Sequence, residues 1–216
     1  MNISAYEKLP LAFYKRDDVV QIARDLLGKI LVTHLQGKLT AGRIVETEAY
    51  NGRNDKACHA YYKRTPRTEV MYEEGGRAYV YLCYGIHHLF NVVTNEEGLA
   101  DAVLIRGLEP LEGLDQMFGR RNVLSRKKLT SGPGTLSQAL GINRSMSGEN
   151  LGGSSIWIAQ PSDINDNFEI ETDVRIGVDY AEEDALLPWR FYIKENDFVS
   201  RKKKKTPTES RGLKSS

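Results

Sequence analysis

The N-terminal part of the chain has the pattern of a capped amphipathic helix. Apolar residues recur at helical spacing from Val19 to Leu27, Asp18 precedes them and Gly28 follows them. An acidic side chain caps the free N–H groups of a first helical turn, and glycine ends helices readily. We therefore predict an amphipathic helix that stops at Gly28.

After this helix, alternating apolar and polar positions predict a sheet made largely of hairpins. The predicted strands span residues 31–35, 38–47, 77–83, 88–94, 101–107, 155–159, 174–178 and 189–194, and two further helices span residues 110–118 and 134–140. Gln36-Gly37 forms the turn of the first hairpin, and Tyr84-Gly85 lies near the tip of the second. The polar stretch from Asn51 to Glu74 is too long for a passive turn and is predicted to be a functional loop. Strands with segregated helices predict an α+β fold, a single mixed domain over residues 1–199 with a curved antiparallel sheet and flanking helices, followed by a basic, disordered tail at 200–216.

Composition narrows the class of protein. Of the 216 residues, 40% are hydrophobic, which is enough for a sizeable core and too many for a wholly disordered chain. No apolar run approaches the roughly 20 residues of a membrane helix, and the first ten residues lack the apolar centre of a signal peptide. Cys58 and Cys83 are the only cysteines, too few for a secreted disulfide framework. We therefore expect a cytoplasmic protein with no membrane partner.

The net charge of +1 conceals a strong segregation of charge. Residues 201–216 hold seven Lys or Arg and one Glu, a balance of +6, so the preceding residues carry −5. Among these, residues 116–133 contain five basic and no acidic side chains, and residues 162–173 contain five acidic and no basic ones. Such segregation is typical of a cationic face that binds a polyanion, but it also occurs on ordinary solvated surfaces.

Two carboxylates lie in an otherwise ordinary strand. Side chains alternate across a strand, so Glu46 and Glu48 are predicted to face the same side as the apolar Ile44. A carboxylate on an inward face needs either a salt-bridge partner or a chemical task. The residues alone leave both roles open for each glutamate.

Three tyrosines mark the second hairpin. Tyr79 and Tyr81 share one strand face, whereas Tyr84 projects near the turn. Packing within a sheet explains a tyrosine such as Tyr79, but an aromatic ring at an exposed tip suits a wedge between stacked bases. Packing and base insertion both remain open for Tyr84.

The histidines and cysteines form no recognisable metal motif. Neither zinc-finger spacing nor an HExxH motif occurs, and the adjacent residues Cys58 and His59 would point to opposite faces of a strand. Glycine-rich loops of the Walker or Rossmann type are also absent, and Gly132-Pro133-Gly134 is more typical of a helix-entry turn than of a phosphate site. We expect no metal ion and no cofactor.

Several segments, taken together, carry a resemblance to a known family. They are Gly42–Tyr50 (GRIVETEAY), Thr65-Pro66-Arg67, Tyr79-Val80-Tyr81, Tyr84-Gly85, Asn91, Leu104–Pro110 (LIRGLEP), Ser131-Gly132-Pro133, Arg175–Val178 (RIGV) and Arg190-Phe191-Tyr192. In this order and at these separations the chain, from about Asp18 to Val199, resembles the alkyladenine DNA glycosylases, also called 3-methyladenine or methylpurine DNA glycosylases.

The resemblance implies a mixed domain whose positive face binds duplex DNA while a protruding β-hairpin enters the minor groove. It implies a monofunctional glycosylase that flips a damaged purine out of the duplex and hydrolyses its N-glycosidic bond, initiating base excision repair. Substrates of the 3-methyladenine, 7-methylguanine and hypoxanthine class are expected. Double-stranded DNA is the expected partner of a monomer, which would be nucleoid-associated if the source is bacterial.

The resemblance also implies roles for individual residues. It gives Glu48 as the general base with Arg106 beside it, and the backbone carbonyl of Ile176 as a group that helps to hold the nucleophilic water. It places Tyr50, His59 and Tyr81 around the flipped base and Asn91 at the edge of that base. Tyr84 matches the intercalating tip. Glu46 matches no catalytic position. The chain departs from the family at Thr135, where some members carry a lysine, and at Tyr61 and Tyr62, which replace smaller residues.

Two other functions stay open. A non-catalytic protein that binds DNA damage would keep the aromatic pocket but would not need Glu48. A carbohydrate hydrolase would need two carboxylates that flank the scissile bond, whereas Glu46 and Glu48 lie close together on one strand.

Overall fold

A computed structural model of the chain describes residues 6–161 and 167–200. Within these residues the α-helices are α1 (Val19–Asp25), α2 (Leu114–Arg121) and α3 (Pro133–Leu140). The strands are β1 (Ile30–Leu35), β2 (Lys38–Tyr50), β3 (Ala78–Cys83), β4 (His87–Thr94), β5 (Asp101–Glu112), β6 (Ile156–Ala159), β7 (Ile170–Asp173) and β8 (Arg190–Ile193). The predicted basic tail lies, apart from Ser200, outside the described residues, as do Asp163 and Asp166 of the acidic segment. None of the described helices is long and apolar enough to cross a membrane.

Strand β2 organises the sheet because it is long enough to pair with three others. Along one edge it pairs with β5, and along the other its first half pairs with β1 and its second half with β8. The main path of the sheet is β3-β4-β5-β2-β1-β6, and β7 joins through β8. Every pairing between the described strands is antiparallel. The predicted α+β class, one domain with a curved antiparallel sheet and flanking helices, is confirmed.

Two irregularities bend the centre of the sheet between β2 and β5. The register shifts between Ile44 and Glu46 and again between Glu46 and Thr47, so Val45 on β2 and Arg106 on β5 stand opposite no residue. Bulges of this kind raise the local twist and redirect side chains. Here they turn the side chain of Arg106 toward both glutamates of β2.

The main core lies between the helices and one face of the sheet. Helix α1 is capped by Asp18, whose carboxylate accepts the N–H of Gln21 at 2.9 Å, and it packs against β2 and β5. The buried apolar residues of α1 and α3 join one cluster, to which the two helices contribute Val19, Ile22, Ala23, Leu136, Ala139 and Leu140. Burial of one such leucine or isoleucine side chain contributes about 1.5–3 kcal/mol, so this apolar stripe fixes the helices on the sheet.

A second, smaller core lies under the segment 51–77, which was predicted to be a functional loop. Its buried residues are Cys58, Ala60, Val70, Met71, Tyr79, Val93, Ala100 and Ala102. Ala78 and Val80, the neighbours of Tyr79 in β3, belong to the main core instead, so the segment covers the sheet face opposite the helices. The segment is therefore packed against that face of the sheet through its own small apolar core.

The predicted helix over residues 110–118 is wrong in its first half. Strand β5 continues to Glu112, with Pro110 opposite Gly42, and α2 begins only at Leu114. Gly113 separates the two elements with a φ of 76°, a left-handed conformation that glycine adopts readily. Proline suits the first turn of a helix, but pairing with β2 outweighs that local preference.

The predicted strand over residues 174–178 is also wrong. The strand at this point of the chain is β7, which ends at Asp173 and pairs with β8. The following residues turn toward β2, where Arg175 binds the buried Asp55 and Ile176 binds Glu48. Apolar, β-branched residues predicted a strand, but the polar partners of this turn hold it in another conformation.

Candidate active site

A cavity of about 350 Å³ opens between the β3–β4 hairpin, the segment 51–77 and the turn after β7. Its lining includes Tyr50, His59, Tyr81, Asn91, Arg106 and Ile176. Tyr84 contributes to the rim, and Glu48 lies fully buried behind the wall, in hydrogen-bond contact with three of the lining residues. The structure therefore brings together all eight residues singled out from the sequence.

Glu48 is held by three donors. Its Oε1 accepts the backbone N–H of Ile176 at 2.8 Å, and its Oε2 accepts the hydroxyl of Tyr50 at 2.7 Å and Nη1 of Arg106 at 3.2 Å. All three groups donate, as an ionised carboxylate requires of its partners. It is the N–H of Ile176, rather than its carbonyl, that contacts Glu48.

Burial and the neighbouring charges keep both side chains that donate to Glu48 protonated. Burial, together with the negative charge of Glu48, raises the pKa of Tyr50 well above its usual range, so its hydroxyl stays protonated and donates. Burial of Arg106 opposes its charge, but the carboxylates of Glu48 and Glu46 outweigh this effect and raise the pKa of the guanidinium. A protonated phenol and a permanent cation therefore face the carboxylate.

Glu46 is equally buried but has different surroundings. Its Oε1 accepts Nη1 of Arg190 at 2.9 Å, the hydroxyl of Ser200 at 2.9 Å and Nε of Arg106 at 3.3 Å. Its Oε2 accepts the backbone N–H of Ser200 at 2.6 Å. Glu46 does not line the cavity. These contacts join β2 to β8 and to the C-terminal end of the described chain, which is a structural arrangement.

Aromatic rings form one side of the cavity. The rings of Tyr79 and Tyr81 are stacked with centroids 5.4 Å apart, and His59 meets Tyr81 edge-on at 4.7 Å. Nδ1 of His59 lies 3.0 Å from the hydroxyl of Tyr79. Burial, with a smaller contribution from the charge of Arg67, lowers the pKa of His59 to about 4. The imidazole is therefore neutral at neutral pH.

Asn91 occupies the cavity edge on β4, directly opposite Tyr79 of β3. Its side chain is 5% exposed, and Nδ2 donates to the carbonyl of Tyr79 at 3.1 Å. This bond fixes the plane of the carboxamide at the cavity edge.

The tip of the β3–β4 hairpin is apolar and exposed. Tyr84 and Gly85 both have positive φ, 50° and 71°, and the N–H of Ile86 donates to the carbonyl of Cys83 at 3.1 Å, which closes a tight turn. Tyr84 is 92% exposed and Ile86 72% exposed, with Leu82 beside them. Exposed apolar side chains in a cluster are typical of an interaction surface. Sequence reasoning identified Tyr84 but missed its two aliphatic neighbours, although their apolar character beside a turn was visible.

This geometry accompanies a sequence match over most of the chain. A model of the family described as Methylpurine-DNA glycosylase (MPG) matches residues 12–197. The chain belongs to the methylpurine-DNA glycosylase family. All eight residues singled out above lie within the matched range.

Curated relatives cover a similar range. A protein of Desulfitobacterium hafniense named "Putative 3-methyladenine DNA glycosylase" is 47% identical over 203 residues, 90% of this chain and 98% of its own length. Proteins of the same name from Natranaerobius thermophilus and Chlamydia abortus are 49% and 48% identical, over 89% and 86% of this chain and 98% and 97% of their own. The resemblance inferred from the sequence motifs is confirmed.

The departures from the methylpurine-DNA glycosylase pattern lie outside the cavity. Tyr61 and Tyr62 contact each other edge-on with centroids 4.9 Å apart, and neither lines the cavity. The hydroxyl of Thr135 donates to the carbonyl of Gly132 at 2.8 Å, within the first turn of α3.

Part of the basic segment 116–133 is structural in this family member. Arg120 donates to the carbonyl of Ala139 at 2.9 Å, and Arg121 donates to the carbonyl of Leu129 at 3.2 Å. These two arginines hold α2 against α3 and the loop between them.

Sequence reasoning also missed residues that build the site. The buried pair of Arg175 and Asp55 joins the turn after β7 to the segment 51–77, and Tyr180 lines the cavity. Because Arg175 and Asp55 lie 120 positions apart, no local sequence pattern predicts their contact. Among the described residues, no group of three or more His, Cys, Asp or Glu side chains is placed to hold a metal ion.

Proposed function

We propose that this protein is a monofunctional DNA glycosylase that hydrolyses the N-glycosidic bond of alkylated or deaminated purines in duplex DNA. The carrying observation is the position of Glu48, a fully buried carboxylate directly behind the wall of an aromatic cavity. A protein that only binds damage needs such a cavity, but it gains nothing from a buried carboxylate behind it. The reaction is the first step of base excision repair.

Base flipping comes first, because a duplex hides the glycosidic carbon. Extrusion of a nucleotide costs about a few kcal/mol, least for bases that pair or stack poorly. We propose that Tyr84, with Leu82 and Ile86 beside it, fills the space that the nucleotide leaves. Stacking of an aromatic side chain on a base contributes about 1–3 kcal/mol, which is comparable with that cost.

The cavity then selects the flipped base. Purines alkylated at N3 or N7 carry a positive charge, which the faces of Tyr81 and Tyr50 attract. His59 supports this selection because its low pKa keeps it neutral, so it does not repel a cationic base. Asn91 would discriminate among neutral bases, since bulk at the cavity edge can reject the exocyclic amino group that distinguishes guanine from hypoxanthine.

Hydrolysis requires stabilisation of charge and activation of water. The base leaves with the electron pair of the C1′–N bond, so positive charge builds on the sugar, as in glycoside hydrolysis. A cationic alkylated purine thereby leaves as a neutral base, and hypoxanthine does so by taking up a proton from solvent. In our proposal Glu48 stabilises that charge and accepts a proton from the attacking water, while Arg106 and Tyr50 hold its carboxylate and the carbonyl of Ile176 helps to hold the water. No lysine is among the described residues that line the cavity, so an amine nucleophile and strand cleavage are not part of the proposal.

Single-turnover excision on a duplex with one methylpurine or hypoxanthine tests the proposal. The wild-type protein should release the base and leave an alkali-labile site. Glu48→Gln keeps the shape of the side chain and should slow release by about 100-fold to 10,000-fold, the usual range for a general base, with lesion binding nearly unchanged. Substantial excision by Glu48→Gln would overturn the role of Glu48, and tight lesion binding by a wild-type protein that never releases the base would exclude the function.

A further inference from the structure

Arg175 and Asp55 form a buried ion pair to which no role has been assigned above. Both side chains are fully buried, and the guanidinium binds both oxygens of the carboxylate. Asp55 belongs to the segment 51–77 and Arg175 to the turn after β7, so the pair joins two walls of the cavity. A buried ion pair adds little net stability compared with well-packed apolar side chains. Stability alone is therefore a weak reason for its presence here.

Arg175 also reaches the strand that carries Glu48. Its Nη1 donates to the carbonyl of Ala49 at 3.0 Å. Its guanidinium carbon lies 4.9 Å from the ring centre of Tyr50 and 5.2 Å from that of Trp189. A planar guanidinium with forked hydrogen bonds and two packed rings has a fixed orientation, which a lysine could not reproduce.

This orientation bears on two of the three donors to Glu48. Ile176 is the next residue in the chain after Arg175, and its N–H donates to Oε1. Tyr50, whose ring packs on Arg175, donates its hydroxyl to Oε2. We propose that Arg175 and Asp55 form a positioning pair that holds the Ile176 and Tyr50 donors against Glu48 and so sets the orientation of its carboxylate. The inference rests on the proposed role of Glu48 in base release.

Asp101 provides a matched control for Asp55. It is also fully buried, and it anchors the same segment by accepting the N–H of Gly52 at 2.9 Å and Nη2 of Arg53 at 2.8 Å. Its hydrogen-bond partners include neither Ile176 nor Tyr50. A structural role alone predicts the same result for the two aspartates.

The first measurement compares Asp55→Asn with Asp101→Asn in single-turnover excision and in lesion-duplex binding. Misplacement of a catalytic group by about 1 Å costs up to about 100-fold in rate, so Asp55→Asn should slow base release between about 10-fold and 100-fold, with Kd within about threefold of wild type. Asp101→Asn should lower Tm yet release the base at close to the wild-type rate. Equal rates for the two folded variants, whether both fast or both slow, would overturn the proposal.

The second measurement does not depend on turnover. The amide of Ile176, followed by ¹H–¹⁵N correlation and solvent exchange, should shift and lose protection in Asp55→Asn and in Arg175→Lys but not in Asp101→Asn. An unchanged Ile176 amide in both variants, or failure of both to fold, would overturn the positioning role. A wild-type protein that releases no base would instead refute the proposed function, while the amide comparison still decides whether the pair positions Ile176.

Discussion

Glu46 and Glu48 lie two residues apart on one strand, both are fully buried and both contact Arg106, yet their surroundings differ. Glu46 is surrounded by two arginines and the backbone and hydroxyl of Ser200, and of these residues only Arg106 lines the cavity. Glu48 has one arginine, a phenol and a single backbone N–H, and three residues that hold it line the cavity.

The difference shows that burial and charge do not by themselves identify a reactive carboxylate. Arg190 and Ser200, which hold Glu46, do not line the cavity, whereas all three donors to Glu48 border open space and leave room for a substrate and water. The bulges between β2 and β5 make the two environments possible, because they direct one arginine to both carboxylates. The predictions below test whether changes at Glu46 affect mainly the free energy of unfolding and changes at Glu48 mainly the rate of base release.

The largest effect on stability should come from Glu46→Gln. Removal of this charge leaves Arg106 and Arg190 less well compensated in the interior, which should lower the free energy of unfolding by about 3 kcal/mol, at the low end for a broken buried pair because glutamine still accepts a hydrogen bond. Base release, measured where the variant is fully folded, should fall by less than about 10-fold. Urea unfolding and single-turnover excision give the two values.

Glu48→Gln should give the opposite pattern, with a larger loss of rate and a smaller loss of stability. If both variants lose stability and rate in the same proportion, the two glutamates form one unit and the distinction between them is wrong.

The next prediction concerns His59 in the cavity lining and the dependence of stability on pH. The pKa of His59 is lowered from 6.5 to about 4 by burial and, to a smaller extent, by Arg67, so the folded protein binds this proton less readily than the unfolded chain does. Above pH 6.5 His59 is neutral in both the folded and the unfolded protein and costs no stability. Below pH 6.5 the unfolded chain takes up the proton first, so the free energy of unfolding falls as the pH drops toward about 4, and the loss levels off below that value. The loss should not exceed about 3.5 kcal/mol, at about 1.4 kcal/mol per unit of pKa.

His59→Gln provides the comparison, since glutamine keeps a hydrogen-bonding group near Tyr79 but does not titrate. Urea unfolding of both proteins between pH 4 and pH 7 should show a shallower dependence on pH for the variant. Parallel pH profiles would mean that the folded protein protonates His59 as readily as the unfolded chain.

Local patterns in the sequence predicted most of the fold, whereas the candidate site residues came from the resemblance to the glycosylase family, and the structure brings them together around one cavity. The β1–β2 and β3–β4 hairpins follow from alternation and turn residues, which are local signals. The extension of β5 through Pro110 and the turn at residues 174–178 depend on tertiary partners, so local propensity gave the wrong element in both places.

Within the site, the contacts between distant residues escaped prediction, and with them the residues that act only through such contacts. Alternation along β2 placed Glu46 and Glu48 on one side, but no local pattern shows that Arg106 stands in a bulge between them. The same holds for Asp55, whose partner Arg175 lies 120 positions away.

Tyr50→Phe sharpens the comparison from the side of Glu48. The substitution removes the hydroxyl that donates to Oε2 at 2.7 Å and keeps the ring that packs on Arg175. A hydrogen bond to a charged group contributes about 1.5–3 kcal/mol, so base release should slow about 10-fold or more. Single-turnover rates and Tm measure the effect; a normal rate with a lowered Tm would mean that Tyr50 supports the fold and not the carboxylate.

Ser200→Ala is the counterpart on the side of Glu46 and should have the smallest effect. Its hydroxyl donates to Oε1 of Glu46 at 2.9 Å, but the backbone N–H of the same residue still donates to Oε2 after the substitution. Because one of the two hydrogen bonds remains and Ser200 is half-buried, the free energy of unfolding should fall by only about 1 kcal/mol. Base release should be unchanged, since Ser200 neither donates to Glu48 nor lines the cavity. A rate loss for Ser200→Ala as large as that for Tyr50→Phe would show that changes at Glu46 reach Glu48 through Arg106, and the two carboxylates would then have to be treated as one coupled site.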